Sequence, residues 1–172
     1  MYNDIDVINI NVKKLNEDAI IPSYAHLDDT GFDLYAVEDT FIKSNETAIV
    51  KTGLAFELPK GYGVVVRPRS GNTLKGVPNC IKMVKGDYYG DYYLCEERIK
   101  ARVQIGTVDE GYRGEIGILT TNYEMDTIKI PKGTKLAQGV IERIPKATFT
   151  VVDEFITESS RGSNGYGSTD NK

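Results

Sequence analysis

Apolar and polar residues alternate along most of this chain. In IDVININ and the valine that follows, Ile8, Ile10 and Val12 fall on one face and Val7, Asn9 and Asn11 on the other, the two-residue period of a strand. Comparable stretches are TAIVKTGLAFEL, YGVVVRP, GEIGILTTN, AQGVIERI and TFTVV, divided by Pro and Gly. LPKGYGVVV and IPKGTKLAQGV repeat one turn chemistry, with Pro at a turn's second position and Gly two residues on, directly before an apolar strand. These read as successive hairpins. No long segment holds a 3.6-residue period, and NTLKG after Ser70 suits a helical turn or two. The pattern predicts an all-β protein, a barrel or a jelly-roll-like sandwich.

Between Asn72 and Ile105 the texture changes. GDYYGDYY, Gly86 to Tyr93, is a tandem repeat of four residues. Its tyrosines suit an exposed hairpin with packed rings, a contact surface, or a surface excursion that only covers its own backbone. The end of the chain, RGSNGYGSTD, carries Gly162, Gly165 and Gly167, which favour a mobile segment. It also carries Arg161, Ser168 and Thr169, residue types that contact phosphate.

With 172 residues, 40% hydrophobic and 27% charged, the chain is long enough for one core and short for two. A net charge of -4 argues against a broad nucleic-acid or membrane surface, so any phosphate site is local. No apolar run approaches the roughly 18 residues of a membrane span. The polar start MYNDID lacks a signal-peptide layout, and a cytoplasmic protein is expected. Cys80 and Cys95 are too few and too far apart for a zinc site and read as ordinary thiols. His26 reads as a solvated surface residue.

Several short stretches carry chemistry. GTVDEGYRGEIG places Asp109 three residues before Tyr112 in a Gly-bounded turn, so a carboxylate that can deprotonate water stands near a ring that can floor a sugar or base. Asp109 is equally suited to forming the turn. RPRSG sets Arg67, Arg69 and Ser70 beside Gly71, a group suited to phosphate oxygens or to a plain turn. TGFDLYA places Asp33 between apolar neighbours, and KLAQG carries the amide of Gln138.

In this order, TGFDLYA, RPRSG, GTVDEGYRGEIG, KGTKLAQGVIERI and RGSNGYGSTD resemble the five motifs of the trimeric dUTPases, which hydrolyse dUTP to dUMP and pyrophosphate. The resemblance covers nearly the whole chain outside the tyrosine-rich segment. It implies a jelly-roll-like β-barrel over residues 1–160, with a family-atypical insert at about 78–100, and a mobile arm over 161–172 that closes the site. Asp109 matches the general base that activates water against the α-phosphorus. Tyr112 matches the ring that leaves no room for a 2′-hydroxyl. Arg69, Ser70 and Gly71 match phosphate contacts, and Gln138 the amide near the α-phosphate. Asp33 matches the aspartate that holds magnesium through water, the metal being carried mainly by the triphosphate. Arg161 matches the γ-phosphate contact, and Tyr166 stands where a phenylalanine usually stacks on uracil. Gly165, Gly167, Ser168 and Thr169 complete the arm's contacts. The uracil-reading segment falls at Val103 to Gly106 and reads mostly through backbone groups. The implied partners are dUTP, Mg2+ and two further copies of the chain in a homotrimer with shared sites, without nucleic acid or membrane.

The chain departs from the family pattern where Thr134 replaces an acid and Gly139 an apolar residue. Related dCTP deaminases carry a catalytic glutamate in the strand after the third motif, where this chain reads ILTTN and no acid stands. A regulatory protein on a dUTPase scaffold, using Gly86 to Tyr93 as a partner surface, is the other alternative. Viral relatives with accessory segments make a viral source, and then the host cytoplasm, one of the readings.

Overall fold

The computed structural model of the protein describes residues 7–85 and 92–163, with backbone alone for Lys85 and residues 92–97. Gly86 to Asp91 of the tyrosine repeat, and Gly165, Tyr166, Gly167, Ser168 and Thr169, lie outside the described residues.

The regular structure of the described residues is almost all strand: β1 (Asn11–Lys14), β2 (Gly31–Tyr35), β3 (Thr40–Ile42), β4 (Thr47–Lys51), β5 (Leu54–Glu57), β6 (Tyr62–Pro68), β7 (Val77–Lys85), β8 (Tyr92–Ile99), β9 (Ala101–Val103), β10 (Gly106–Val108), β11 (Gly117–Asn122), β12 (Thr127–Ile130) and β13 (Lys135–Arg143). One short helix, α1 (Ser70–Lys75), follows β6, where a turn or two was expected. The sheets run β1-β5, β10-β6-β13-β2, β4-β11-β9 and β3-β12-β7-β8. All pairings are antiparallel. This is the all-β, jelly-roll-like architecture expected from the alternation.

The unbroken run of valines in β6 shows why this strand is central. Val64, Val65 and Val66 are all buried, so both faces are covered, as a continuous apolar run requires. On β13, Gly139 leaves room for a ring: a Cβ there would collide with Phe32, which fills the space an apolar residue would otherwise take. Thr134, in place of an acid, closes the turn before β13 by donating its hydroxyl to the Pro131 carbonyl at 2.7 Å.

Three details differ from the sequence expectation. Both Pro-Lys-Gly turns are shifted by one residue. Tyr62 N–H bonds the Pro59 carbonyl and Thr134 N–H the Pro131 carbonyl, so Pro holds the first position. Gly61 (φ 82°) and Gly133 (φ 81°) hold the third, where a left-handed backbone favours glycine. TAIVKTGLAFEL is two strands, split at Gly53 (φ 69°). Among the described residues, the strand expected from IDVININ forms only from Asn11 and TFTVV forms none, because no described strand pairs with their backbones. β7 and β8, the second opening with Tyr92 and Tyr93 of the repeat, pair as a long hairpin whose base is part of the core, with Val77, Cys80 and Ile99 fully buried. Burial pushes the Cys80 thiol up to about 12, which makes it inert. Among the described residues, no helix is long and apolar enough to cross a membrane.

Candidate active site

One cluster forms where β2, β13 and the β6–α1 junction meet. Asp33 on β2, Gln138 on β13 and Arg67 on β6 lie in one cross-strand row and so on one face of the sheet. The Asp33 side chain is only 8% exposed, yet both of its oxygens are ion-paired. Oδ1 lies 3.1 Å from Arg69 Nε and Oδ2 lies 2.7 Å from Lys135 Nζ. Hydrogen bonding to Asp33 raises the Lys135 pKa above the usual lysine value. Arg67 leans away to pair with Glu142.

Among the described residues, the Gln138 amide and the Ser70 hydroxyl have no hydrogen-bond partner, and Arg69 reaches Asp33 through Nε. Arg69 immediately precedes α1, so Ser70 and Gly71 supply first-turn N–H groups that no earlier turn can accept. A cleft opens here between Asp33, Arg69, Gln138, Gly31, Thr30 and His26. Gly31 keeps it open, since a Cβ there would press on the Gln138 side chain at 3.2 Å. His26 is exposed, as expected, and lies at the rim of this cleft, where a tight turn returns the Asp29 carboxylate to the His26 N–H at 2.8 Å.

A second cluster lies in the turn after β10. Asp109 is exposed and its carboxylate has no partner among the described residues, while its carbonyl accepts the Tyr112 N–H at 3.0 Å. The turn is braced from outside. Gly61 N–H donates to Glu110 at 2.6 Å, Gly53 N–H to Glu115 at 2.8 Å, and Arg113 donates to the Glu110 carbonyl at 2.7 Å. Tyr112, 46% exposed, lies across Gly114 and donates its hydroxyl to the Glu115 carbonyl at 3.0 Å. Of the segment expected to read the base, Val103 is buried and paired with Thr120, whereas Gly106 opens onto free space. Arg161 lies in an exposed turn closed by Gly162 N–H on the Ser159 carbonyl at 3.0 Å.

The two clusters do not meet within one chain. β10 and β2 are opposite edges of one four-stranded sheet. Val108 is in register with Val64, while Gln138 and Asp33 share the row of Arg67. Along the sheet, at about 3.3 Å per residue and 4.8 Å per strand, Asp33 and Asp109 are separated by roughly 20 Å.

Comparison with known proteins gives one family. The dUTPase family model matches residues 17–95 and 97–170. Deoxyuridine 5'-triphosphate nucleotidohydrolase of Clostridioides difficile is 38% identical over 161 residues, covering 94% of this chain and 97% of that protein. The enzyme of the same name from Gloeothece citriformis is 38% identical over 162 residues, with the same coverage. Among solved structures, the dUTPase of Staphylococcus bacteriophage 80alpha with dUPNHPP superposes with a TM-score of 0.76 at 25% identity, covering 95% of this chain and 99% of that one. A mutant dUTPase from phage phi11 of S. aureus, whose structure describes the coordination of a structural Mg(II) ion, gives 0.68 at 25% identity, covering 86% and 99%.

Proposed function

Because the chain belongs to the dUTPase family, we propose that its dUTP diphosphatase activity is assembled between copies of the chain, with Asp109 of one copy acting on a triphosphate held by another. The observation that carries this is the separation of the two clusters. A water activated by Asp109 and an α-phosphate touched by Gln138 must be within a few ångströms of one another, and one chain leaves roughly 16 Å along the sheet between the two residues. A homotrimer with shared sites brings them together.

In the triphosphate cluster, Arg69 offers its terminal nitrogens, Ser70 its hydroxyl, and Ser70 and Gly71 their N–H groups to phosphate oxygens. Gln138 donates its amide beside the α-phosphate. These are fixed donors, and phosphoryl transfer depends on such positioning and charge neutralisation. On the other chain, Asp109 takes a proton from the attacking water. Its carboxylate is free to do so because the turn is braced through Glu110, Glu115 and backbone groups, not through Asp109 itself. Tyr112 lies against the deoxyribose and occupies the space a 2′-hydroxyl needs. Val103 to Gly106 reads uracil through backbone groups. Arg161 with Gly165, Tyr166, Gly167, Ser168 and Thr169 closes over the nucleotide and excludes water.

Asp33 fits a magnesium ion held through water. A carboxylate has about four lone-pair directions, and Arg69 and Lys135 use two of them, leaving the cleft side for metal-bound water. Asp33, Arg69 and Lys135 together carry one net positive charge, so a divalent cation is favoured there only with the triphosphate. When bound, Mg2+ screens the phosphate oxygens and the departing pyrophosphate. The reaction is expected to keep uracil out of DNA and to supply dUMP for dTMP synthesis in the cytoplasm.

Asp109→Asn tests this reading. It should bind dUPNHPP as the parent does, while turnover of dUTP falls about 100-fold to 10,000-fold, the usual worth of a general base. Weak binding with normal turnover would remove Asp109 from the role.

A further inference from the structure

Lys135 is not among the residues singled out by the sequence, yet it makes the shorter of the two ion pairs to Asp33. Its place depends on an irregularity in β13. Residues three apart on a regular strand point to opposite faces, so Lys135 and Gln138 should not share one. The register, however, shifts between Lys135 and Ala137: Lys135 is opposite Tyr35 and Ala137 is opposite Leu34. Leu136 is the extra residue of a bulge, and the bulge turns Lys135 onto the face of Tyr35, Asp33 and Gln138. Its ammonium lies 2.7 Å from Asp33 and 5.6 Å from the Tyr35 ring centre.

The bulge is anchored to the helix that follows Arg69. Buried Asn72 donates its amide to the Lys135 and Leu136 carbonyls, each at 3.1 Å. The residue carrying the ammonium and the loop carrying the guanidinium are thus one braced unit.

Lys135 does more than balance charge. A guanidinium and a carboxylate prefer a two-pronged pairing, which here would use Nε and one terminal nitrogen of Arg69. Lys135 occupies the second carboxylate oxygen, and Nε brings Arg69 onto the first. Building on the triphosphate reading above, we infer that Lys135 is a positioning residue: by holding Asp33, it keeps Arg69 in a one-pronged pairing that leaves two donors for the phosphate chain.

The test uses the full-length enzyme at one fixed magnesium concentration and compares calorimetric affinities for dUPNHPP and dUMP. Lys135→Met keeps the apolar stem over Tyr35. It should weaken dUPNHPP about 10-fold, the worth of one charge-assisted hydrogen bond, and leave dUMP within about twofold. Lys135→Arg should restore most of the loss. In an Asp33→Asn background, Lys135→Met should add less than about a twofold further loss, because its route to Arg69 is already cut. Equal weakening of dUMP and dUPNHPP would mean a general structural role and overturn the inference. A full Lys135→Met effect in the Asp33→Asn background would overturn it too, since the ammonium would then touch phosphate itself. Arg69→Ala separates the two levels. If it leaves dUPNHPP binding intact, the triphosphate reading fails and this inference with it. If it weakens binding while Lys135→Met does not, only the positioning role fails.

Discussion

Tyr112 sits where it does because of a residue two places on. Its ring crosses Gly114, and its hydroxyl is tied to the Glu115 carbonyl. A Cβ at Gly114 would collide with the far end of this ring, so Gly114→Ala should dislodge the tyrosine without disturbing the strands. Tyr112→Ala removes the ring outright. Both variants should discriminate less between dUTP and UTP, with Gly114→Ala the milder, as measured by the ratio of kcat/KM for the two nucleotides. If UTP stays equally excluded by Tyr112→Ala, the ring is not the gate. Asp33, Arg69 and Gln138, named from separate motifs, do converge on one cleft. Lys135 and His26 could not be found this way. The first depends on a bulge that leaves no mark in the pattern of apolar residues, and the second on a turn set by one Asp side chain.

Among the elements, the sheet β3-β12-β7-β8 carries the long hairpin, and Glu124 ties it to the rest. Its carboxylate accepts the Lys100 N–H at 2.7 Å and pairs with Lys82 at 3.2 Å, and its carbonyl accepts the Ser44 hydroxyl at 2.8 Å. The Lys100 N–H, with Lys82 adding to it, holds the Glu124 pKa below the usual glutamate value. A depressed carboxylate pKa stabilises the fold above the unfolded value of about 4.3, and the contribution is lost as pH falls through the folded value. Glu124→Gln should therefore be less stable than the parent at pH 7, with the gap closing below about pH 4. Urea midpoints between pH 7 and pH 3 measure this, and a constant gap would mean the charge is not its source. Strands with partners inside the chain, such as β6, β11 and β13, were legible from alternation. The strand expected in TFTVV was not realised, because alternation fixes which face is apolar and does not supply a neighbouring strand.

At the scale of the molecule, a single chain leaves its own apolar groups uncovered. Phe149, Val151, Phe155 and Ile156 are each more than 90% exposed on a segment that pairs with no strand among the described residues. Near the N-terminus, Val7, Ile8 and Ile10 line an open cleft with Phe32 and Phe56. Apolar surface left open in this way marks an interaction site. Together with the distance between Asp109 and Asp33, it favours sites completed by exchange between copies. The mixed-oligomer experiment decides this. A chain ending at Ser160 keeps these apolar residues and should fold and assemble, since Arg161 and Gly162 are exposed. It should be nearly inactive, because losing Arg161 alone would remove the proposed phosphate contact, worth about 1.5 to 3 kcal/mol. Asp109→Asn keeps residues 161–172 and lacks the proposed base. Neither parent has a complete site. Unfolded together and refolded, they should give mixed trimers in which an intact Asp109 from one chain meets an intact arm from another, and activity should rise well above both parents. Base and arm drawn from the same chain would leave every site broken. Mixed trimers verified by mass but still inactive would rule out the exchange, while leaving the family and the reaction unchanged.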